Sequence, residues 1–253
     1  MLKRRIIPLL LVEGPNLVKG KGFDNWRRVG TLIPAINVQN SRDVDELVIV
    51  DSGATKQDRG FDFSILSQAR GRCSVPLTVG GGIRSLEEAS ILIQEGADKV
   101  LVGSSCVTSM RLVSQIAERF GSQAVIVSVD ARREGANVSC WSHGGTKRLE
   151  VHPVERGLQA VQAGAGEVLV NSIDRDGEMN GFDIEIMGQM ARELLAPVIA
   201  AGGAGSVRDV VDLFDQAPVA AVAVGSLFQF TEATPRSIRS ALAVRGHPVR
   251  STD

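Results

Sequence analysis

Two glycine-rich segments of this 253-residue chain each occur twice, separated by the same distance along the sequence. The segment TVGGGIRSLEEA (78–89) returns as AAGGAGSVRDVV (200–211), and KVLVGSSCV (99–107) returns as AVAVGSLFQ (221–229). Gly80 and Gly202 are 122 positions apart, and so are Gly103 and Gly225. Two motifs that share one offset indicate a fold built from two similar halves.

Short apolar runs, typical of strands buried on both faces, recur along the whole chain. They lie at 5–12, 46–52, 76–80, 99–103, 124–130, 167–172, 197–202 and 219–225. Amphipathic stretches such as LEEASILIQEGAD and MRLVSQIAERFG separate them and end at glycine or a polar turn, as helices do. Eight strand–helix units favour a closed barrel over an open doubly wound sheet. We therefore predict an α/β fold, a single (β/α)8 TIM barrel of two half-barrels, forming one domain over residues 1–253.

The composition argues against several classes of protein. A formal net charge of -1 gives no electrostatic basis for binding nucleic acid or an anionic membrane. No apolar run approaches the roughly 18 residues that cross a bilayer, and MLKRRIIPLLLV lacks the small-residue cleavage site of a signal peptide. The three cysteines and three histidines are scattered, so we expect reduced thiols in a cytoplasmic protein with no metal and no cofactor. They are Cys73, Cys106, Cys140, His143, His152 and His247.

The repeated glycine segments have the features of phosphate-binding loops. A glycine-rich turn after a strand exposes backbone N–H groups, and the next helix contributes the positive end of its dipole. Two equivalent loops predict a ligand with a phosphate at each end. The alternative is that these glycines only make tight turns between strand and helix. The expected phosphate-binding residues are Gly82, Ser104, Gly203, Gly225 and Ser226, together with the neighbouring Gly81, Gly103 and Gly202.

Carboxylates follow several of the predicted strands, where barrel enzymes place their catalytic groups. Asp51, Asp130, Asp174 and Asp176 are of this kind. An acid at the edge of an apolar barrel is a candidate general acid or base, because desolvation raises its pKa. A salt-bridged or helix-capping role is the alternative. Lys19, in a glycine-containing segment, is placed to close over an anionic substrate.

Four charged residues occupy the opposite ends of the strands. Arg5, Glu46, Lys99 and Glu167 each stand where a predicted strand begins, and their charges cancel. They are expected to form a ring across the barrel bottom. A purely structural layer of ion pairs is the alternative, and its contribution to stability is doubtful once desolvation is counted.

Taken together, these motifs resemble HisF, the cyclase subunit of imidazole glycerol phosphate synthase. RIIPLL, LVKG, DELVIVD, TVGGGI, GADKV, FGSQAVIVSVDA, GAGEVLVNSIDRDG and APVIAAGGAG appear in the family's order over almost the whole chain. The resemblance implies a TIM barrel that works with a HisH-like glutaminase. Ammonia from that partner would enter at the barrel bottom and react at the top with a bisphosphorylated ribulosyl substrate, giving imidazole glycerol phosphate and an aminoimidazole carboxamide nucleotide.

The resemblance also assigns roles to individual residues. It implies that Asp130 is catalytic, that Lys19 lies in a flexible loop, and that Asp51 lies on the rim. The glycines and serines named above contact phosphates, and Asp176-Gly177 form the loop after the sixth strand. Arg5, Glu46, Lys99 and Glu167 correspond to the ammonia gate, and Asp98 to a position near the glutaminase interface.

One departure from the family concerns its chemistry. The family has a second catalytic aspartate at the position of Leu11, and leucine cannot transfer a proton. Gly103 and Asn171 replace other polar rim residues. This pattern resembles the second-copy HisF homologues of bacterial surface-polysaccharide clusters, such as those for lipopolysaccharide O-antigen. There a separate ATP-using amidotransferase is associated with converting an acetamido sugar to an acetamidino sugar. Two alternatives remain: a cyclase that uses Asp130 or Asp176 with a water, and a phosphate-binding barrel that only activates its glutaminase.

Overall fold

A computed structural model describes residues 3–251, which form one sheet of strands surrounded by helices. The strands are β1 (Arg5–Glu13), β2 (Asn16–Lys21), β3 (Asp24–Thr31), β4 (Leu47–Asp51), β5 (Leu77–Gly80), β6 (Lys99–Val102), β7 (Val125–Glu134), β8 (Asn137–Ser142), β9 (Lys147–Leu149), β10 (Glu167–Ser172), β11 (Val198–Ala201) and β12 (Ala221–Val224).

Helices follow the barrel strands and pack outside them. They are α1 (Leu32–Ser41), α2 (Phe63–Ala69), α3 (Leu86–Gln94), α4 (Arg111–Phe120), α5 (Pro153–Gln162), α6 (Ile184–Glu193), α7 (Val207–Gln216), α8 (Ser226–Phe230) and α9 (Pro235–Val244). The equivalent helices α3 and α7 begin alike, since Ser85 and Ser206 each cap the backbone three residues on. No helix within residues 3–251 has the length and apolarity needed to cross a membrane.

The predicted (β/α)8 barrel is confirmed. Parallel pairing runs from β1 through β4, β5, β6, β7, β10, β11 and β12, and β12 pairs with β1 again. Closure leaves no open edge between these eight strands, which explains why their sequences are apolar on both faces. One apolar cluster lies between strands and helices, and a second fills the barrel interior.

The barrel interior is layered because alternate residues of a strand point inward. On β10, Glu167 lies at the bottom, Leu169 belongs to the interior apolar cluster, and Asn171 lines the cavity at the top. On β1, Arg5 lies at the bottom while Leu11 reaches the top. The barrel interior is therefore charged at the bottom, apolar in the middle, and lined by both polar and apolar side chains at the top.

Each half-barrel begins with a long strand that continues into an antiparallel hairpin. Strand β1 pairs with β2 and β2 with β3, while β7 pairs with β8 and β8 with β9. The first hairpin turns at Gly22 and Phe23, which both have positive φ, as the tight type I′ turn requires. Residues 16–31 are thus an ordered hairpin in this structure, whereas the sequence suggested a loop.

Candidate functional site

A cavity of about 260 Å³ opens at the carboxyl ends of the barrel strands. Its lining includes the predicted residues Asp51, Gly82, Ser104, Asp130 and Asp176. The lining also includes Leu11, at the position where the family resemblance implies a second catalytic aspartate. The cavity thus brings these five predicted site residues together with the neighbouring Gly81 and Gly103.

Asp130 is a half-buried carboxylate in the middle of β7, where the strand passes from its pairing with β10 in the barrel to its pairing with β8. The Ser128 hydroxyl donates a hydrogen bond of 2.9 Å to its Oδ1. Burial raises the pKa of Asp130 to about 6, the Ser128 hydrogen bond opposes that rise, and the charge of Asp176 adds to it. Burial also raises the pKa of Asp176, against the effect of Lys19. Carboxyl groups with raised pKa values can act as an acid or a base near neutral pH.

Leu11 makes the opposite part of the rim apolar. Its side chain is 8% exposed and belongs to the interior cluster that also contains Leu9, Leu101 and Leu169. The partly buried Trp26, from the first hairpin, packs against the same cluster and lines the cavity. A ligand in this part of the cavity meets hydrocarbon rather than a proton-transfer group.

Asp51 has both carboxylate oxygens occupied by protein donors. Arg59 Nη1 lies 2.5 Å from Oδ2 and Nη2 lies 2.9 Å from Oδ1, and the Asp62 N–H donates to Oδ2 at 3.2 Å. Its side chain is fully buried. This bidentate pair fixes the loop between β4 and α2, which is the alternative role considered for Asp51.

The first glycine cradle is formed by Gly82 and by Ser104 after β6. Gly82 has a φ of +74°, and a Cβ there would overlap the Arg59 carbonyl and the Ala54 side chain. The His143 N–H donates to Ser104 Oγ at 2.9 Å, so the hydroxyl proton of Ser104 stays available for a ligand. This cradle is half-buried and open to the cavity.

The second cradle, Gly203 with Gly225 and Ser226, is more enclosed. Gly203 and Ser226 are buried. The Lys19 ammonium lies over Gly225, where it would overlap a Cβ. Lys19 itself is 5% exposed, and burial lowers its pKa while Asp176 opposes the change.

The first hairpin is docked on the loop after β10. The Gly22 N–H donates to the Asp176 carbonyl at 2.9 Å, and a Cβ on Gly177 would overlap the Gly20 carbonyl. This contact places Lys19, on the same hairpin, beneath the surface. Asp176 and Gly177 therefore contact the first hairpin, and Asp176 also lines the cavity.

At the other end of the barrel, the four charged residues form a closed ring of ion pairs. Arg5 contacts Glu46 at 2.5 Å and also contacts Glu167. Lys99 contacts Glu46 at 3.0 Å and Glu167 at 2.7 Å. Burial alone would raise the pKa of Glu167, but the hydrogen bonds and charges of Arg5 and Lys99 outweigh it and lower that pKa.

Two further predicted carboxylates lie apart from the cavity. Asp98 is exposed at the barrel bottom, where its Oδ2 accepts a hydrogen bond of 2.8 Å from the Leu77 N–H. Asp174 is exposed and accepts from the Arg133 N–H at 2.6 Å, which ties the loop after β10 to β7.

The residues that cover the cavity were not predicted from the sequence. Lys56 Nζ and Trp26 Nε1 each donate to the Phe23 carbonyl at 3.1 Å, and the Lys56 ammonium lies 5.1 Å from the Trp26 ring centroid. His143 lies in the turn between β8 and β9 and has a positive φ of 54°. The aromatic residues near Lys19 in KGFDNW are the sequence feature from which this cover could have been predicted.

The cysteines lie outside this site. Cys106 and Cys140 are buried and Cys73 is half-buried, all as free thiols. Burial raises the pKa of Cys140 to about 12, against the effect of Arg156, so it has little thiolate character near neutral pH.

Comparison with known proteins places the chain in a family. Residues 5–234 match the family described as Histidine biosynthesis protein. Imidazole glycerol phosphate synthase subunit HisF of Hyphomonas neptunium is 39% identical over 251 residues, covering 99% of this chain and 100% of that protein. The Dehalococcoides mccartyi subunit HisF is 37% identical over 250 residues, covering 99% of both chains.

A third relative carries a different name. A Pseudomonas aeruginosa protein, provisionally named imidazole glycerol phosphate synthase subunit hisF2, is 39% identical over 231 residues. The match covers 91% of this chain and 92% of that protein. Identity to the two kinds of relative is equal, so identity alone does not decide between them. By these sequence matches, the chain belongs to the HisF family.

Proposed function

We propose that this protein is the synthase subunit of a two-subunit glutamine amidotransferase and receives ammonia from a HisH-like glutaminase docked at the ring end of the barrel. The relatives are named as subunits of a synthase, which supports a partner. The ring of Arg5, Glu46, Lys99 and Glu167 would be the gate. Its four ion pairs join the four side chains in a circuit across the barrel, and the passage of ammonia would require at least one pair to open.

The interior above the ring is packed with apolar side chains, which would favour the passage of a small uncharged molecule over that of an ion. Ile7, Leu9, Leu101 and Leu169 belong to the apolar cluster between the ring and the cavity. Ammonia would lose little hydration there, whereas ammonium would have to be desolvated at high cost. These surroundings support the delivery of neutral ammonia to the rim.

Leu11 is the observation that decides which chemistry we propose at the rim. With leucine on β1, a substrate meets Asp130 on one side and hydrocarbon on the other. Losing one member of an acid–base pair costs roughly two to four orders of magnitude in rate. We therefore propose that cyclase turnover is weak and that the complex supports amidination of an acetamido sugar in surface-polysaccharide biosynthesis, together with a separate ATP-using amidotransferase.

A second candidate function is the cyclase reaction of histidine biosynthesis. Asp130 and Asp176 line the same cavity and both have raised pKa values, so two carboxyl groups suited to proton transfer are present without Leu11. A water held between Asp176 and the substrate would replace the missing aspartate in this scheme.

Deletion of the gene in its host tests these alternatives. If the proposal is right, the strain grows without histidine, and mass spectrometry of its surface polysaccharide shows an acetamido sugar in place of an acetamidino sugar. Complementation with the intact gene should restore the amidino group. A histidine requirement with unchanged polysaccharide would overturn the amidination proposal and favour the cyclase.

A further inference from the structure

Three segments meet above the cavity, and Lys56 joins the other two. It lies between β4 and α2, and its ammonium donates to the Phe23 carbonyl, at the turn of the first hairpin, at 3.1 Å. Its Cε lies 3.1 Å from the place that a Cβ on Gly144 would take, in the turn between β8 and β9. Phe23, Lys56 and Gly144 all line the cavity. One side chain therefore contacts both hairpins over the mouth of the barrel.

Trp26 takes part in the same group of contacts. Its indole Nε1–H donates to the Phe23 carbonyl at 3.1 Å, and the Lys56 ammonium lies 5.1 Å from the centroid of its ring. A cation within about 6 Å of an indole ring is attracted by the negative face of the ring. Among residues 3–251, no carboxylate oxygen lies within 4.0 Å of the Lys56 ammonium, so the carbonyl and the ring direct it.

The backbone of the first hairpin is anchored without Lys56. The Gly22 N–H donates to the Asp176 carbonyl at 2.9 Å, and a Cβ on Gly177 would overlap the Gly20 carbonyl. These contacts are made by backbone atoms and do not involve the lysine side chain. Loss of Lys56 would therefore release the Trp26 side chain and leave the hairpin docked.

The second hairpin also carries a tryptophan beside a cation, but both residues belong to that hairpin and the strand it continues. The Arg132 guanidinium lies 4.2 Å from the ring centroid of Trp141, and the Trp141 Nε1–H donates to Ser139 Oγ at 3.1 Å. Arg132 lies on β7, which pairs directly with the β8 strand of Trp141. In the first hairpin the cation comes from the segment after β4, so the contact joins two separate parts of the chain.

Trp26 covers the apolar part of the cavity. It lines the cavity and packs against the interior cluster that contains Leu9 and Leu11. The lining also has a polar part, which includes Asp130 and Asn171. The position of the indole ring therefore sets the size of the apolar part, whatever group binds at the polar part.

We propose that Lys56 is a positioning residue that fixes Trp26 as the movable cover of the apolar part of the cavity. Lys56 acts through the Phe23 carbonyl and the indole ring. Opening of this cover requires the indole to leave both partners, while the docked hairpin stays in place. The inference goes beyond the proposed function, because it holds whichever reaction takes place at the rim.

Solvent exchange of the two indole N–H groups, followed by heteronuclear NMR of the full chain, tests this. The protein has two tryptophans, so Trp141 serves as an internal reference, and Trp141→Phe identifies its signal. Lys56→Met should speed exchange of the Trp26 indole N–H by about fivefold, the scale of losing one cation–indole contact. Exchange of the Trp141 indole N–H should change by less than about twofold, since its partners are untouched.

Two further variants separate the charge of Lys56 from its packing. Lys56→Arg keeps a cation that can donate to the Phe23 carbonyl and stack on Trp26, so exchange should stay within about twofold of the native rate. Lys147→Met removes an exposed lysine of β9 and should change neither indole signal.

Three results would overturn the inference. Exchange of the Trp26 indole N–H in Lys56→Met within about twofold of the native rate would show that other contacts fix the ring. Exchange in Lys56→Arg as fast as in Lys56→Met would show that the cation does not hold it. Equal acceleration of both indole signals would show a general loosening of the fold, which urea denaturation of Lys56→Met would detect as a loss of stability.

Discussion

The Ser128 hydroxyl donates a hydrogen bond of 2.9 Å to Asp130, two residues further along the same strand. Residues two apart on a strand share a face, so both side chains point into the barrel mouth. Burial nevertheless dominates and raises the pKa of Asp130 to about 6. The hydrogen bond thus orients a carboxylate without removing its tendency to take up a proton near neutral pH.

This raised pKa predicts a pH-dependent cost to stability. An aspartate titrates near 3.9 when unfolded, so the folded protein binds the proton more tightly. Protonated Asp130 therefore contributes its full stabilisation of the folded protein below about pH 4, and this contribution is lost as the pH rises through about 6. Asp130→Asn should therefore raise the free energy of unfolding at pH 8 by on the order of 1–3 kcal/mol, measured by urea denaturation.

The difference in free energy of unfolding between Asp130→Asn and the native protein should approach zero at pH 4. Asp58→Asn is the matched control, because the Asp58 side chain is 98% exposed and the change should be neutral at both pH values. A variant that is less stable than the native protein at pH 8 would show that ionised Asp130 is favourably solvated or paired.

The charge ring predicts that breaking a buried ion pair costs much more stability than breaking an exposed ion pair at the same end of the barrel. Lys99→Met leaves Glu46 and Glu167 facing Arg5 alone, and removing one partner of a buried network costs roughly 3–5 kcal/mol. Arg70→Met breaks a pair whose side chains are 56% and 55% exposed, and should cost less than about 1 kcal/mol. Urea denaturation of both variants gives the comparison; equal losses would contradict it.

The barrel strands could be predicted because closure buries them on both faces. Their apolar runs are nearly continuous, and the charged residue at the start of strands such as β1 and β10 marks the bottom ring. The sequence of the β2–β3 hairpin has no such continuous apolar run. No residue of its second strand is fully buried, so DNWRRVGT lacks the apolar pattern that burial imposes.

The site was predicted as a set of residues, but their partners were not. Asp51 was identified from its place at a strand end, while its bidentate pairing with Arg59 depends on how the intervening loop folds back. The equal glycine loops likewise suggested equal access. The burial of Lys19 over Gly225 is a contact between distant segments, which no local pattern encodes.

The charge of Asp98 is predicted to contribute to the docking of a glutaminase at the barrel bottom. Asp98→Lys reverses an exposed charge and also removes the acceptor for the Leu77 N–H, so its effect mixes electrostatics with structure. Asp98→Asn keeps an acceptor and removes only the charge. We expect the lysine variant to weaken association with a HisH-like glutaminase by about tenfold or more, and the asparagine variant by less.

Surface plasmon resonance with the glutaminase immobilised measures both Asp98 variants against the native protein. Circular dichroism should first show that each variant is folded. An Asp98→Lys variant that binds as tightly as the native protein would place the docking surface elsewhere.

Leu11 is the position at which a second acid–base group can be introduced to test the proposal. Strands β1 and β7 are equivalent in the two half-barrels, so Leu11→Asp places a carboxylate in the half that lacks the counterpart of Asp130. The surrounding Leu9, Leu101 and Leu169 will raise the pKa of the new group by desolvation. Some loss of stability is expected, because an aspartate replaces a side chain that is 8% exposed. Leu11→Asn is the matched control, similar in size and polarity but unable to transfer a proton as a carboxylate does.

The assay supplies the bisphosphorylated ribulosyl substrate with ammonium salt, which bypasses the glutaminase, and follows substrate disappearance. We expect the native protein to turn over at least about a thousandfold more slowly than a HisF cyclase assayed in parallel, the scale of losing a key acid–base group. Leu11→Asp should gain at least about tenfold over both the native protein and Leu11→Asn, since only the aspartate restores proton transfer. Turnover by the native protein at the rate of the parallel cyclase would overturn the amidination proposal. It would show that Asp130 and Asp176 suffice for the cyclase reaction.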